Sequence, residues 1–423
     1  MKKQILTATA LSICCLLLFT GCLKDNCKHS YKIQVPVYKK LRDLRAAVQG
    51  GAATPLSGAS KIYITGNRIY LSEKDKGVHV IDNSNPASPR NTAFINIPGN
   101  GDVVVRGNTL YADLYCDLAA VDISDPQNIS VKKYITNAFP YRLGYATYTT
   151  NPDSISVLVD WISKDTIVSC EEANTWRNCP NCNVFLASSS GVQSAAGGDS
   201  KAAGGTGGSM ARFAAVDNYM YAVGRNDMSI IDLASVNNPT IVKRQNVGNE
   251  LETIFPFKDN LFLGSATGMF VYNISDPVNP KAVSWQGHWR MCDPVIADDN
   301  YAYVTLFDAA ICGSANLNQM EVYSISNINK PTLVKTYPLT NPHGLAKDGN
   351  LLFICDGRDG LKIFDATKAD DIKLLKHLPG TESYDVIALN GIAYVSTKSG
   401  LYQYDYSNIG NVRLLSKLEW KNN

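Results

Sequence analysis

Apolar residues in this chain come in short runs, and each run stops at Asn, Asp, Gly or Pro. The clearest stretch lies between Asp102 and Ile135. "DVVV" is followed by Gly107-Asn108, then "TLYADL", then "LAAVDIS", and, after Pro126, "ISVKKYI". Runs this short between turn residues predict four strands, the first two joined by a tight hairpin. Runs such as "IIDL" and "VHVID" are apolar at successive positions rather than alternate ones, which predicts strands covered on both faces. Helical spacing is nearly absent. The exception, "KLRDLRAAV" from Lys40 to Val48, predicts a short amphipathic helix.

The four-strand pattern recurs. The phrase "AVDISDP" returns in altered form, and its polar anchor falls at Asp82, Asp122, Asp232, Asn273, Ser324, Asp365 and Asp405, in steps of 40, 110, 41, 51, 41 and 40. An aromatic anchor repeats independently at Tyr70, Tyr111, Tyr221, Phe262, Tyr303, Phe353 and Tyr394, in steps of 41, 110, 41, 41, 50 and 41. A period near forty, broken by one long and one short insertion, marks a repeat architecture. The anchor carboxylate can accept the backbone N–H two residues on, and the proline after it cannot extend a ladder. The phrase is therefore a chain reversal between third and fourth strands. Asn273 and Ser324 are expected to make the same bond. Strands covered on both faces need a sheet packed between copies of itself. Radial packing gives an all-β β-propeller with four antiparallel strands per blade. Seven units predict seven blades within a range of six to eight. "RLGYATYTTNPDSISVLVDWISKDTIV", between units two and three, is either a long hairpin from one blade or the strands of an eighth. "YKIQVPVY", before the helix, either adds a strand to the ring or lies across it.

The units resemble LVIVD repeats, a propeller-forming family of bacterial envelope proteins. "LAAVDISDP" and "VHVIDNSNP" carry the resemblance, and units five and seven match it loosely. The likeness runs from about Lys61 to Trp420 outside the insertion. It implies a propeller on a secreted or lipid-anchored protein, and no particular reaction.

The start of the chain lies outside the repeat. "MKKQILTATALSICCLLLFTGC" has two lysines, an apolar run and small residues, the layout of a secretory signal. "FTGC" resembles the lipobox of bacterial lipoproteins, which implies that Cys22 is lipidated and becomes the mature N-terminus; Phe19 stands where the family has Leu. The expected organisation is a signal peptide over 1–21, a tether with a short strand and helix over 22–56, and the propeller over 57–423. An insertion covers about 141–210, with a flexible Gly/Ser/Ala-rich part at 187–209. The expected location is the cell envelope, anchored through lipid to the outer membrane and displayed on either face.

Charge excludes one class of partner. A formal net charge of +2 gives no basic footprint for nucleic acid. Protein or glycan partners and the membrane remain. No Walker loop, HExxH, GxSxG or EF-hand loop occurs, so neither a catalytic motif nor a cofactor or metal is expected.

Eight of the eleven cysteines remain after the signal and the lipidated residue. Cys170, Cys179 and Cys182 are open to disulfide formation, to free thiols or to zinc. Cys292 and Cys312 flank the short insertion, where a bridge would be worth roughly 3 kcal/mol. Cys116 and Cys355, at equivalent places in units two and six, are expected to be buried small hydrophobes.

Propellers present sites at the mouth of the channel lined by their first strands. Counting back from the aromatic anchors places Lys61, Asp102, Arg212, Glu252, Asp293, His343 and Asp385 near the strand starts. This mixed-sign ring is the candidate ligand site. The sequence thus predicts an envelope recognition or scaffolding module, with a propeller enzyme acting on a carbohydrate or lactone as the alternative.

Overall fold

A computed structural model of the chain describes residues 28–59, 61–143, 151, 154–169, 206–288, 294–307 and 317–421. The chain forms two compact units, 1–37 with 159–189, and 38–158 with 190–423. Cys22, Cys27, Cys170, Cys179, Cys182, Cys292, Asp293 and Cys312 lie outside the described residues.

The larger unit is a seven-bladed propeller. Its blades are four-stranded antiparallel sheets with strands in chain order from the channel outward, and the first blade carries a fifth strand. They cover residues 61–96, 103–135, 213–246, 251–287, 295–338, 345–378 and 383–419, called blades 1 to 7. Burial follows from position in the blade. The second strand of blade 2, Thr109–Leu114, is buried at every residue, whereas the outermost strand of blade 3, Thr240–Asn246, alternates between half-buried and exposed. The aromatic anchors are buried as expected, none more than 6% exposed. Each fills the gap between two blades, where a large ring removes much apolar area from water.

The repeated phrase forms the expected turn. The Oδ1 atoms of Asp82, Asp122, Asp232, Asn273, Asp365 and Asp405 accept the N–H two residues on, at 2.7 to 3.1 Å. Ser324 departs from the expectation. Its hydroxyl bonds the Ser326 hydroxyl at 2.8 Å instead, because a serine side chain is one atom shorter than Asp or Asn. One device has no signal in the sequence. Every blade has a register shift between its third and fourth strands, as between Val80 and Ile81 or Val271 and Tyr272. An extra residue there increases the local twist of the outer strand.

The ring closes by side-chain packing of blade 7 on blade 1. Ile387, Tyr394 and Leu401 share a core with Ile62, Leu71 and Ile81. Gln403 Nε2 donates to Asn83 Oδ1 at 2.7 Å, and the Lys421 N–H donates to the Leu56 carbonyl at 2.8 Å.

The N-terminal elements correct two expectations. Lys28–Lys40 pairs with Ser156–Ser169 in a two-stranded ribbon. The first therefore pairs with no strand of the ring, and the second is neither a hairpin of its own nor part of an eighth blade among the described residues. The strand that does join the ring is Gln49–Ala52, on the outer edge of blade 1. Its Gly50 lies so near blade 2 that a Cβ would stand 2.5 Å from the Pro126 carbonyl. The expected helix forms over Leu41–Ala46 and buries Leu41 and Leu44. Arg45 pairs with the buried Asp117 at 2.6 Å, and Tyr134 donates to the Arg45 carbonyl at 2.7 Å.

Cys116 and Cys355 are buried free thiols, as expected. Burial, with Asp117 beside it, pushes the Cys116 thiol up to about 12, and burial pushes Cys355 well above its ordinary value. Maleimide should label both at least about a hundredfold more slowly in the native than in the denatured protein, read by mass spectrometry of the two peptides. Equal rates would contradict the burial.

Candidate functional site

Strand direction sorts the channel into two ends. The first strand of each blade starts at the end that carries the turns between second and third strands, and finishes at the end that carries the first hairpin turns.

The predicted ring lies at the starting end. Lys61, Asp102 and Asp385 are 8%, 4% and 1% exposed, and Arg212 and Glu252 are half-buried. Lys61 feels the charges of all four others, so five predicted residues do converge. Burial pulls the Lys61 ammonium down to about 8; Asp102 opposes this, Arg212 adds to it, and Asp385 and Glu252 oppose it. Burial raises the Asp102 carboxyl, against the pull of Lys61 and three backbone N–H groups. Those three bonds join neighbouring blades: Oδ1 accepts Val103 N–H at 2.8 Å, and Oδ2 accepts the N–H of Arg212 at 2.6 Å and of Phe213 at 3.2 Å. The Arg212 guanidinium donates to the carbonyls of Gly224, at 2.9 Å, and Leu251, at 3.2 Å. Nearby, Arg142 pairs with Asp113, whose other oxygen accepts the N–H groups of Gly101 and Asp102 at 2.8 and 2.9 Å.

His343 stands apart from the five. Its ring packs between Phe307 and Tyr384, with centroids 4.6 and 5.6 Å away, and its charged neighbours are Glu382 and Asp356. Burial lowers it to about 4 against the pull of those carboxylates. Its Nε2 lies 3.3 Å from Asn341 Oδ1, while the buried Nδ1 has no partner. The neutral tautomer with the proton on Nε2 fits this setting.

The chain itself fills the starting end. Residues 206–212 reach it along the channel, antiparallel to the inner strand of blade 1, from Ile64 near that strand's finish to Lys61 at its start, before entering blade 3. Thr206 bridges Ile64 of blade 1, Met210 accepts from Lys61 through its carbonyl, Ser209 Oγ accepts the Leu345 N–H of blade 6 at 3.3 Å, and Ala211 accepts the Ile254 N–H of blade 4 at 2.8 Å. Small residues permit this passage: a Cβ on Gly207 would stand 3.3 Å from the Tyr63 ring. Residues 206–209 were expected to be flexible. Thr206 and Ser209 are instead bonded to blades 1 and 6, and the remainder of 187–209 lies outside the described residues.

The finishing end holds an open cavity of about 710 Å³, lined where the inner strands of blades 3 to 6 end. Its size falls within the range of about 300–1,000 Å³ typical of small-ligand sites. Half-buried Phe257 and Tyr301 form its apolar part. Asp298 lies deeper: it accepts Lys347 at 2.9 Å, the Tyr303 hydroxyl at 3.1 Å and the N–H groups of Asn300 and Tyr301 at 2.9 and 2.8 Å. Burial acts to raise the Asp298 carboxyl, but Lys347 and the two N–H groups outweigh it and hold it below its ordinary value. Lys258 pairs with Asp299 at the rim. The acids and lysines of the cavity thus neutralise one another. Sequence reasoning missed this site because it looked for charge at the starts of inner strands. Asp298, one residue before the first turn of blade 5, gave no distinct signal, because blade 6 has Asp348 at the equivalent position. Among the described residues, no three His, Cys, Asp or Glu side chains converge to hold a metal ion.

Fold and site together define a β-propeller that, among the described residues, has a bonded ring of charge at the starting end and a cavity at the finishing end. Its first two blades match the LVIVD repeat, over residues 58–92 and 100–136. No curated protein matches the chain. Similar solved structures include the computationally designed Ika8 protein, at 11% identity over 86% of this chain and 88% of that one, with a TM-score of 0.50. BamB from Moraxella catarrhalis is similar at 8% identity over 87% and 95%, with a TM-score of 0.47. The periplasmic gluconolactonase PpgL of Pseudomonas aeruginosa is similar at 11% identity over 88% and 96%, also with a TM-score of 0.47. At these identities the likeness concerns the fold and nothing else.

Proposed function

We propose that this chain is a lipid-anchored propeller of the bacterial cell envelope that recognises a partner, protein or glycan, at the cavity of the finishing end. The observation that carries this reading is the contrast between the two ends. At one, the ionisable side chains bond to each other and to the chain's own backbone. At the other, an open cavity offers aromatic surface beside charges already neutralised. Such a lining suits binding better than proton transfer, which needs an acid or base free to exchange its proton. Catalysis on a carbohydrate or lactone would call on Asp298 and Asp299, and each is paired with a lysine. The anchor rests on "FTGC" and Cys22.

The test uses the chain starting after Cys22 in two assays, a glycan array and affinity capture from solubilised envelopes. Tyr301→Ala and Asn350→Ala are expected to weaken the captured partner or glycan by about tenfold each, as central aromatic and amide contacts do. Unchanged binding in both variants would move recognition away from the cavity. Turnover of a lactone or glycoside, lost in Asp298→Asn, would establish the catalytic alternative. Cys22→Ala should abolish acyl labelling and release the protein from the membrane fraction.

A further inference from the structure

We propose that the two-stranded ribbon of Lys28–Lys40 and Ser156–Ser169 lies in the interfacial layer of an anionic lipid membrane; this rests on the lipid anchor at Cys22 proposed above. Three observations on the ribbon point there. First, it carries its large apolar side chains outward. Val35, Tyr38, Trp161, Ile162 and Ile167 are 38%, 42%, 40%, 56% and 68% exposed. A two-stranded sheet is marginal in water without something to cover it, and exposed Trp and Ile make it more so. The strands run in opposite directions: Gln34 Nε2 lies 3.5 Å from Ser163 Oγ, and Leu41 N–H donates to the Ile155 carbonyl at 2.8 Å. Trp161 and Ile162 are neighbours in one strand and so point to opposite faces, and neither face is polar. A membrane interface can receive both, because it surrounds what it accepts.

Second, the two strands hold five lysines, Lys28, Lys32, Lys39, Lys40 and Lys164, against two aspartates, Asp160 and Asp165. Lysines flanking Trp, Tyr and Ile form the pattern that settles at the level of lipid headgroups, the ammonium groups at the anionic surface and the rings just beneath it.

Third, the tether is short. Five residues, 23–27, separate Cys22 from the start of the ribbon. Fully extended, they reach about 20 Å. Acyl chains on Cys22 therefore hold the ribbon within reach of the headgroup layer, at an effective concentration that makes a weak surface affinity sufficient. The same proximity would give the anchor the second contact that stable attachment draws on.

The test uses the full lipidated protein in phosphatidylethanolamine–phosphatidylglycerol vesicles, with and without lipid brominated high on the acyl chain. The emission of Trp161 is taken as the difference between the wild type and Trp161→Phe, a substitution that keeps an aromatic ring. Brominated lipid is expected to quench this difference about twofold, as for an indole at the interface. Ile162→Ser with Ile167→Ser should reduce the quenching. Unquenched Trp161 in protein that still floats with the vesicles overturns the ribbon's placement and leaves the anchor standing. Absence of acyl groups on Cys22, read by mass spectrometry, overturns the anchor and this proposal with it. A Trp161 change that follows protein concentration and not lipid composition assigns the ribbon to a second copy and overturns the lipid assignment.

Discussion

Asp102→Ala is expected to lower unfolding stability by about 3 kcal/mol or more, read as a fall in the urea midpoint. Three backbone N–H groups lose their acceptor in a site closed to water, and one of them opens blade 2 while two open blade 3. A buried donor left unpaired costs about 1–3 kcal/mol, and removing one member of a buried ionic cluster costs about 3–5 kcal/mol. Loss of the carboxylate also leaves Lys61 buried with fewer counter-charges. The relief of desolvating Asp102 offsets part of this, so the figure sits at the low end of the summed range. Asp102→Asn keeps one acceptor oxygen and should lose about half as much. The effect is large because of where the residue stands: the chain leaves blade 2 near residue 136 and returns at 206–212, so Asp102 fastens two blades that no short loop connects. A midpoint within about 0.5 kcal/mol of the wild type would mean that water replaces the lost carboxylate.

The second large effect is a dependence on pH. His343 titrates near 4 in the folded chain and near its ordinary 6.5 when unfolded. Between these values the unfolded state binds the proton and the folded state does not, so stability rises with pH across the window. The contribution is complete above about 6.5, is lost as pH falls from there to about 4, and amounts to roughly 3 kcal/mol. Geometry agrees with the direction, since protonation would put a second N–H on the buried Nδ1, which has no partner. His343→Phe retains the ring between Phe307 and Tyr384 and should flatten the stability profile between pH 4 and 6.5. Two of the anchor aspartates, Asp122 and Asp405, respond at lower pH. Hydrogen bonds from Ser124 and the nearby Lys132 hold Asp122 at about 2, and bonds from Ser407 and Arg413 hold Asp405 at about 2. A profile in which wild type and His343→Phe run parallel from pH 4 to 6.5 would remove His343 from the account.

The blades were legible because each is local. Tyr111, Asp122 and the Gly107-Asn108 turn lie within about a dozen residues of their partners, and the period repeats their evidence seven times. Legibility failed where pairing is remote. Nothing in "SISVLVDWISKDTIVS" says that it meets Lys28–Lys40, because a strand-forming sequence does not name its partner. The ring at the starting end was found by counting back from the aromatics, and five of its members do converge. That residues 206–212 fill the same space was invisible, since Thr, Gly, Ser and Ala also read as linker. The cavity was missed for another reason. Its walls come from four blades, and its central acid, Asp298, has a counterpart in Asp348 of blade 6, so no residue marked it within its own repeat.

The joint between the last blade and the first has a kinetic consequence. Asn83 meets Tyr394 and Gln403 across 311 and 320 residues of chain. Among the described residues no strand is exchanged between these blades, and side chains with a backbone bond from Lys421 draw the circle shut. Contacts so distant in sequence form late, after six sheets are already in place, and their loss on unfolding gives back the most chain entropy. The seam between blades 7 and 1 is thus the natural first place for the wheel to spring open, and during synthesis it stays unzipped until blade 7 has been made.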